Sequence, residues 1–309
     1  MHSHLPSTVS DVMTTIHDPV MVDEVLLHLR PQRGGVFVDC TVGTGGHARK
    51  LLEAGASRLI GIDRDSEALE IAANQLGHLA DRAELIHANF RDLSQLLDVR
   101  GITHIDGALA DFGLSSLQLE APGRGFSFRR DEPLDMRMDR TSGSTAANLL
   151  AQESEVSLAN LIYEFGEERY ARRVARAIVR AREVAPVRTT GELAAIIRRA
   201  IPSRGRRWRI DPATRTFQAL RIWLNQELDQ LDAFISTVGR RLRIGARFVI
   251  ISFHSLEDRI VKHTVRGLAK TGEVALRVLT RKPIVPSEAE VARNPRARSA
   301  KLRVVEGHV

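Results

Sequence analysis

Val38–Gly55 reads VDCTVGTGGHARKLLEAG. A short apolar strand tip enters a glycine turn at Gly43, Gly45 and Gly46, and the turn leads into residues at helical spacing. Gly43-x-Gly45-x-x-Ala48 is the spacing of a strand–turn–helix at which backbone approaches a ligand closely. The glycines leave no Cβ in the way, and the first N–H groups of the helix face the turn. What such a turn holds is decided by the side chains that neighbouring strands bring to it.

Val36–Cys40 is the strand entering the turn, and a helix is predicted over about 47–54. Three more strands follow: RLIGID at Arg58–Asp63, AELIH at Ala83–His87, and IDGALA at Ile105–Ala110 with Asp111 at its end. Between them Ser66–Leu79 is a helix with Leu69, Ala72, Ala73 and Leu76 on one face. Strand and helix alternating at this spacing give right-handed crossovers and a parallel, doubly wound sheet.

From about Asp131 the pattern is helical only. In GEERYARRVARAIVRAREV, Tyr170, Val174, Ala177, Ile178 and Ala181 share a face, and Arg169, Arg172, Arg173, Arg176 and Arg180 occupy the remainder. Thr189 answered by Glu192 is a capping box. Asp211 and Pro212 open a long helix whose core stripe is Phe217, Leu220, Leu224, Leu228, Leu231 and Ile235. Arg247–Phe253 is too apolar and β-branched for anything but a buried strand. Ser255 with Asp258 caps the next helix, and AKLRVVE is a final strand. The expected organisation is an α/β sheet domain over 17–130 and 241–309, an inserted all-helical domain over 131–240, and a mobile tail over 1–16.

Of the 309 residues, 43% are hydrophobic and 27% charged, enough for a core under an ordinary soluble surface. Lys and Arg number 45 against 38 Asp and Glu, a net charge of +7 that points toward a polyanionic partner. Cys40 is the single cysteine, so an intrachain disulfide and a Cys-rich zinc site are excluded, and a reducing cytoplasm is the expected home. No run reaches the ~18 apolar residues of a membrane span, and the opening residues lack a signal-peptide pattern. His2 and His4 lie in the tail and, like the rest of the chain, form no cluster that argues for a metal.

In open parallel sheets ligands sit at the carboxyl ends of the strands. Here four ends are read together: the glycine turn after the first, Asp63 ending the second, Asn89 and Phe90 after the third, and Asp111 ending the fourth. Asp63 suits ribose hydroxyls, and Asn89 and Phe90 suit an adenine edge and face. Asp39, just before the turn, would repel a pyrophosphate at the helix N-terminus. Asp39 and Asp111 would instead attract the sulfonium and ammonium of S-adenosylmethionine. The acids therefore favour that methyl donor over NAD and a hydride-transferring oxidoreductase.

These motifs carry a resemblance that extends along the chain. HDPVMVDEVL from His17, DCTVGTGGH, GIDRD, DGALADFGLSSLQL, RGFSF, PLDMRMD, FGEERYARR, PATRTFQALRI, SFHSLEDRIVK and NPRARSAKLR occur in order. The sequence resembles the family of ribosomal RNA small subunit methyltransferase H. The resemblance implies a Rossmann-like S-adenosylmethionine-dependent methyltransferase fold, with cofactor contacts at Gly45, Gly46, His47, Asp63, Phe90, Asp111 and Gln118. Gln118 rests on the resemblance alone. The implied substrate is N4 of one cytidine, position 1402 in the usual numbering, near the P site of 16S rRNA on an assembled small subunit. Two departures stand out: Asp211 occupies a place where many members carry His, and the segment between Lys270 and Lys282 is shorter than in many relatives.

Methyl transfer is an in-line displacement, so alignment and exclusion of water carry much of the catalysis. Many amino-group methyltransferases place an Asp/Asn-Pro-Pro-aromatic turn at the end of the fourth strand. Asp111-Phe112-Gly113-Leu114 lacks both prolines, so Asp111 is open to orienting the cofactor, the amine or both. His254 and Glu257 follow the fifth strand on the same sheet edge, where they would hold the cytosine. A target base must leave its stack. Phe126 and Phe128 are candidates for stacking, with Arg124, Arg129, Arg130 and Arg137 for phosphates. Arg204, Arg206, Arg207 and Arg209 around Trp208 form a second cluster, and RNPRARSAK a third. The competing non-enzymatic reading is an RNA-binding assembly factor with a vestigial cofactor site. A homodimer is one assembly the apolar helix faces would allow.

Overall fold

β1 (Val36–Asp39), β2 (Arg58–Asp63), β3 (Ala83–His87), β4 (Ile105–Asp111), β5 (Leu242–Ser252), β6 (Leu276–Val278) and β7 (Lys301–Gly307) form one sheet. Its order in this computed structural model is β3-β2-β1-β4-β5-β7-β6. Residues 19–202 and 210–309 are described, and they divide into two units: a sheet unit, 19–115 and 230–309, and a helical unit within 116–229. β1 to β5 run parallel, and β7 runs antiparallel between β5 and β6. This is the α/β, Rossmann-like architecture expected from the strand–helix alternation.

The strands form because their apolar runs are covered on both faces. Leu59, Ile60 and Ile62 of β2 and Phe248, Val249 and Ile251 of β5 are fully buried. Among the covering helices are α1 (Val22–Leu29), α2 (Gly46–Glu53), α3 (Ser66–Leu76) and α4 (Leu93–Val99). Strand order reverses at β1, which pairs with β2 on one side and β4 on the other, so the crevice lies at the carboxyl end of β1. β6 was not legible in the sequence. It is three residues long at the sheet edge, and only Leu276 is buried.

The helical unit contains α5 (Ser116–Glu120), α6 (Ala146–Gln152), α7 (Glu155–Gly166), α8 (Ala171–Val184), α9 (Thr190–Ala200) and α10 (Ala213–Asn225). α9 has the expected capping box between Thr189 and Glu192. The long helix expected over 211–235 is two helices. α10 ends at Asn225, Gln226 and Gln230 take φ of 51° and 54°, and α11 (Leu231–Arg241) belongs to the sheet unit. Asn225 stops the helix by turning its side chain to Met136 O and the Met138 N–H, both at 2.8 Å. The Arg221–Glu227 pair then closes the turn.

The unit boundaries consequently fall at 115/116 and 229/230, rather than at 130/131 and 240/241. Residues 116–130 are tied to the loop that leads into the helices by polar contacts, including Gly123 N–H to Glu132 and Met136 N–H to Arg124 O. α12 (Ser255–Thr271) and α13 (Glu288–Arg293) complete the sheet unit. His17 and the residues before it, and Arg204 to Arg209 with Trp208, lie outside the described residues.

Candidate active site

The glycine turn is clamped from two strands. Val42 N–H donates to Ile62 O at 2.9 Å, and Gly43 N–H donates to Asp63 Oδ2 at 2.7 Å. From the other side, Asp111 N–H donates to Thr41 Oγ1 at 2.7 Å. Gly45 sits at φ 89°, and a Cβ there would lie 3.2 Å from Ala72, so backbone geometry and close packing both demand glycine. Thr41 is a positioning residue that sequence reasoning missed; only its place within the turn hinted at it.

Three carboxylates converge on this turn. Parallel pairing brings their strand ends to the same sheet edge, with Asp39 opposite Gly61 and Leu109, Asp63 opposite His87, and Asp111 opposite Ile251. Asp39 is 1% exposed; its Oδ1 accepts from Thr41 N–H at 3.2 Å, and its Oδ2 has no hydrogen-bond partner among the described residues. Burial pushes Asp39 up to about 8, with the nearby Asp111 and Asp63 charges adding to the rise against the Thr41 N–H. Burial likewise raises Asp63 to about 6, despite N–H donors from Asp65 and Gly43. Asp111 is also raised, chiefly by burial, with His47 and the Gly113 N–H opposing.

His47 is positioned by Val20, whose carbonyl lies 2.9 Å from Nε2, leaving Nδ1 3.8 Å from Asp111 Oδ2. Phe90 stacks at a tilt on Phe234, with centroids 4.6 Å apart, and lies 5.8 Å from Phe112. Phe234 comes from α11, and no local signal linked it to this site. Asn89 spends its side-chain oxygen on the Arg91 N–H, capping the short turn that presents Phe90. Gln118 is in α5 of the helical unit and is 5% exposed.

His254 and Glu257, expected to face the cytosine, instead form the capping box of α12, in place of the expected Ser255 and Asp258. Glu257 Oε2 accepts from the N–H groups of Phe253 and His254 at 2.9 and 3.4 Å, and His254 Nδ1 accepts from Glu257 N–H at 3.4 Å. His254 Nε2 lies 2.9 Å from Glu257 Oε1. Glu257 Oε2 is thus committed to backbone and His254 Nδ1 to the cap, while His254 Nε2 makes no hydrogen bond among the described residues. Asp258 pairs with Arg303 at 2.7 Å.

The expected RNA contacts divide in the same way. Arg124 is 1% exposed and its Nη2 donates to the carbonyls of Arg137 and Met138 at 3.2 Å, so it organises a loop. Phe126 is buried and unavailable for stacking on a base. Arg137 grips Asp135 at 2.8 Å and donates to the carbonyls of Arg140, Ser142 and Gly143. Phe128 is half-buried, set edge-on against Phe217 at 4.8 Å with the Arg198 guanidinium 5.6 Å from its ring. Arg129 and Arg130 are exposed, though Arg130 also reaches Glu120 O. Arg206, Arg207 and Trp208 lie outside the described residues.

The site therefore favours a ligand with positive charge: an orphaned acid oxygen, two further acids held above their ordinary range, and a turn open to close approach. The model of the MraW methylase family matches residues 14–308. The chain belongs to that family. It is 50% identical over 297 residues to ribosomal RNA small subunit methyltransferase H of Thermotoga neapolitana, covering 95% of this chain and 96% of the relative. The protein of the same name from Geotalea uraniireducens is 48% identical over 305 residues, 94% and 98% of the two chains. That from Bradyrhizobium diazoefficiens is 47% identical over 302 residues, 94% and 91%. Family membership and the acid-lined turn point the same way, toward methyl transfer rather than hydride transfer. No described helix is long and apolar enough to cross a membrane.

Proposed function

We propose that this methylase-family chain uses S-adenosylmethionine to methylate the exocyclic N4 of one cytidine near the P site of small-subunit ribosomal RNA, on the assembled subunit. The observation that carries the cofactor assignment is the orphaned Oδ2 of buried Asp39 beside the half-buried acids Asp63 and Asp111. A pyrophosphate would face repulsion from each of them, whereas a cation relieves their mutual repulsion. The names of the relatives support ribosomal RNA as substrate.

Bound at the turn, S-adenosylmethionine supplies a methyl group activated by its sulfonium. Gly43, Gly45 and Gly46 admit the ligand to backbone contact, Asp63 accepts from ribose hydroxyls, and Phe90 offers a ring to the adenine. Asp39 balances positive charge. Asp111 is the group suited to the amine: burial makes it a stronger proton acceptor than an ordinary carboxylate, and Thr41 and Gly113 fix its position. Accepting from the cytosine N–H, it draws proton density away as the nitrogen lone pair turns outward.

The test is labelled methyl transfer to small subunits from a strain lacking this gene, followed by nucleoside mass analysis. N4-methylcytidine at one site is the expected product. A ribose-methylated or C5-methylated product would redirect the acceptor assignment. Thermal stabilisation by NADH and none by S-adenosylmethionine would remove the cofactor assignment.

A further inference from the structure

The buried faces of the helical unit follow ordinary packing rules, but the solvent face of α8 does not follow ordinary charge rules. Arg172, Arg173, Arg176 and Arg180 are exposed along it. Arg176 reaches Glu155 at 3.3 Å. Arg172, Arg173 and Arg180 have no ion-pair partner among the described residues.

Two local penalties are built into this helix. Arg172–Arg176 and Arg176–Arg180 are like charges one turn apart, which repel. The first turn carries Arg172 and Arg173 and no acid, setting positive charge at the positive end of the helix dipole. Neighbouring helices do the reverse. α7 has Glu155 in its first turn, and α9 has Glu192 in its first turn with Arg198 and Arg199 in its last. An exposed face that opposes its own helix and gains no core contact in return marks a surface kept for a ligand.

We propose that this arginine ridge docks the phosphate backbone of RNA. Arg172 to Arg180 spans about 12 Å at the helical rise, a rigid row of forked guanidiniums long enough to meet more than one phosphate. Such contacts fix position and do not read sequence, so the ridge holds the substrate while selection of the base belongs to the strand-end site. The inference rests on the ribosomal RNA assignment above and adds the surface that receives that RNA.

The test replaces Arg172, Arg173, Arg176 and Arg180 together by Gln and measures binding to a small-subunit ribosomal RNA transcript across a salt series. Affinity should fall at least about ten-fold near 0.1 M salt, and the slope of log affinity against log salt should become shallower by about two to three. The corresponding four-Lys variant should keep most of the slope. Binding of S-adenosylhomocysteine should be unchanged, and the thermal midpoint should equal or exceed the parent's because like-charge contacts are gone. Unchanged RNA affinity in the folded Gln variant overturns the proposal. So does lost binding to whole subunits with transcript binding intact, which would give the ridge to a protein partner. A parent chain that binds the transcript through the ridge yet transfers no methyl group would defeat the proposed function and leave the ridge standing.

Discussion

At the carboxyl edge of the sheet, buried and half-buried acids gather with no Lys or Arg paired to them among the described residues; along α8 in the helical unit, arginines are exposed with few acids. Elsewhere, charges that serve the fold are matched. Asp258 meets Arg303, Arg198 meets Asp211 at 2.7 Å, and Arg247 meets Glu306 at 2.9 Å. Arg124 and Arg137, which looked like phosphate ligands in the sequence, fall with the matched group because carbonyls and Asp135 use them. The difference teaches a working distinction: a charge answered within its own unit holds structure, whereas acids gathered at strand ends and arginines set against their own helix dipole suit ligands of opposite sign. These two groups have opposite signs, as a cationic methyl donor and an anionic RNA require.

The largest effect that would sharpen this contrast is at Asp111. Asp111→Asn keeps its shape and removes its basicity, so methyl transfer should fall by about 10²–10⁴-fold while cofactor binding changes far less. Single-turnover kinetics would separate the two, and a full-rate variant would remove Asp111 from the chemistry. Next, Asp63→Ala should weaken cofactor binding by about 10–100-fold, read by calorimetry, from the loss of hydrogen bonds to a charged acceptor.

Asp39 gives a smaller but more diagnostic effect. Its folded value of about 8 lies above the ordinary 3.8. Folding stability from this group is therefore fully present below about pH 4 and drains as pH rises toward 8, because the unfolded chain sheds its proton first. A bound cation reverses the preference, so affinity for S-adenosylmethionine should climb with pH to about 8, with proton release visible as buffer-dependent binding enthalpy. Asp39→Asn should flatten that profile and raise the thermal midpoint of the cofactor-free protein by about 2–4 °C at pH 8, with little change at pH 4. An unaltered pH profile would break the assignment of Asp39 as a charge partner.

The smallest effect belongs to a matched charge. Asp211 accepts from the Ala213 N–H at 2.9 Å and pairs with Arg198; against burial, these contacts hold its carboxyl below the usual range. Asp211→Ala should cost about 1 kcal/mol of stability through the lost hydrogen bond to the Ala213 N–H and the lost Arg198 pair, measured by denaturant unfolding, and leave cofactor affinity unchanged.

Much of the site was legible because its parts are local. The glycine spacing, the acids ending β1, β2 and β4, and the capping box at Thr189 are each encoded within a few residues. That His254 and Glu257 also cap a helix was hidden, because a capping box and a catalytic pair look alike until the N–H partners are known. Phe126 was misassigned because an aromatic beside arginines can face either core or solvent.

The amino-acid order alone determined the alternation of strands and helices, the ligand turn and the acids that follow it, since periodicity and steric freedom act over short stretches. Only the tertiary structure decided which charges are answered, where the long helical run breaks, and that Phe234 joins Phe90. Those outcomes depend on partners distant in the chain, and no local preference specifies a contact that folding has yet to create.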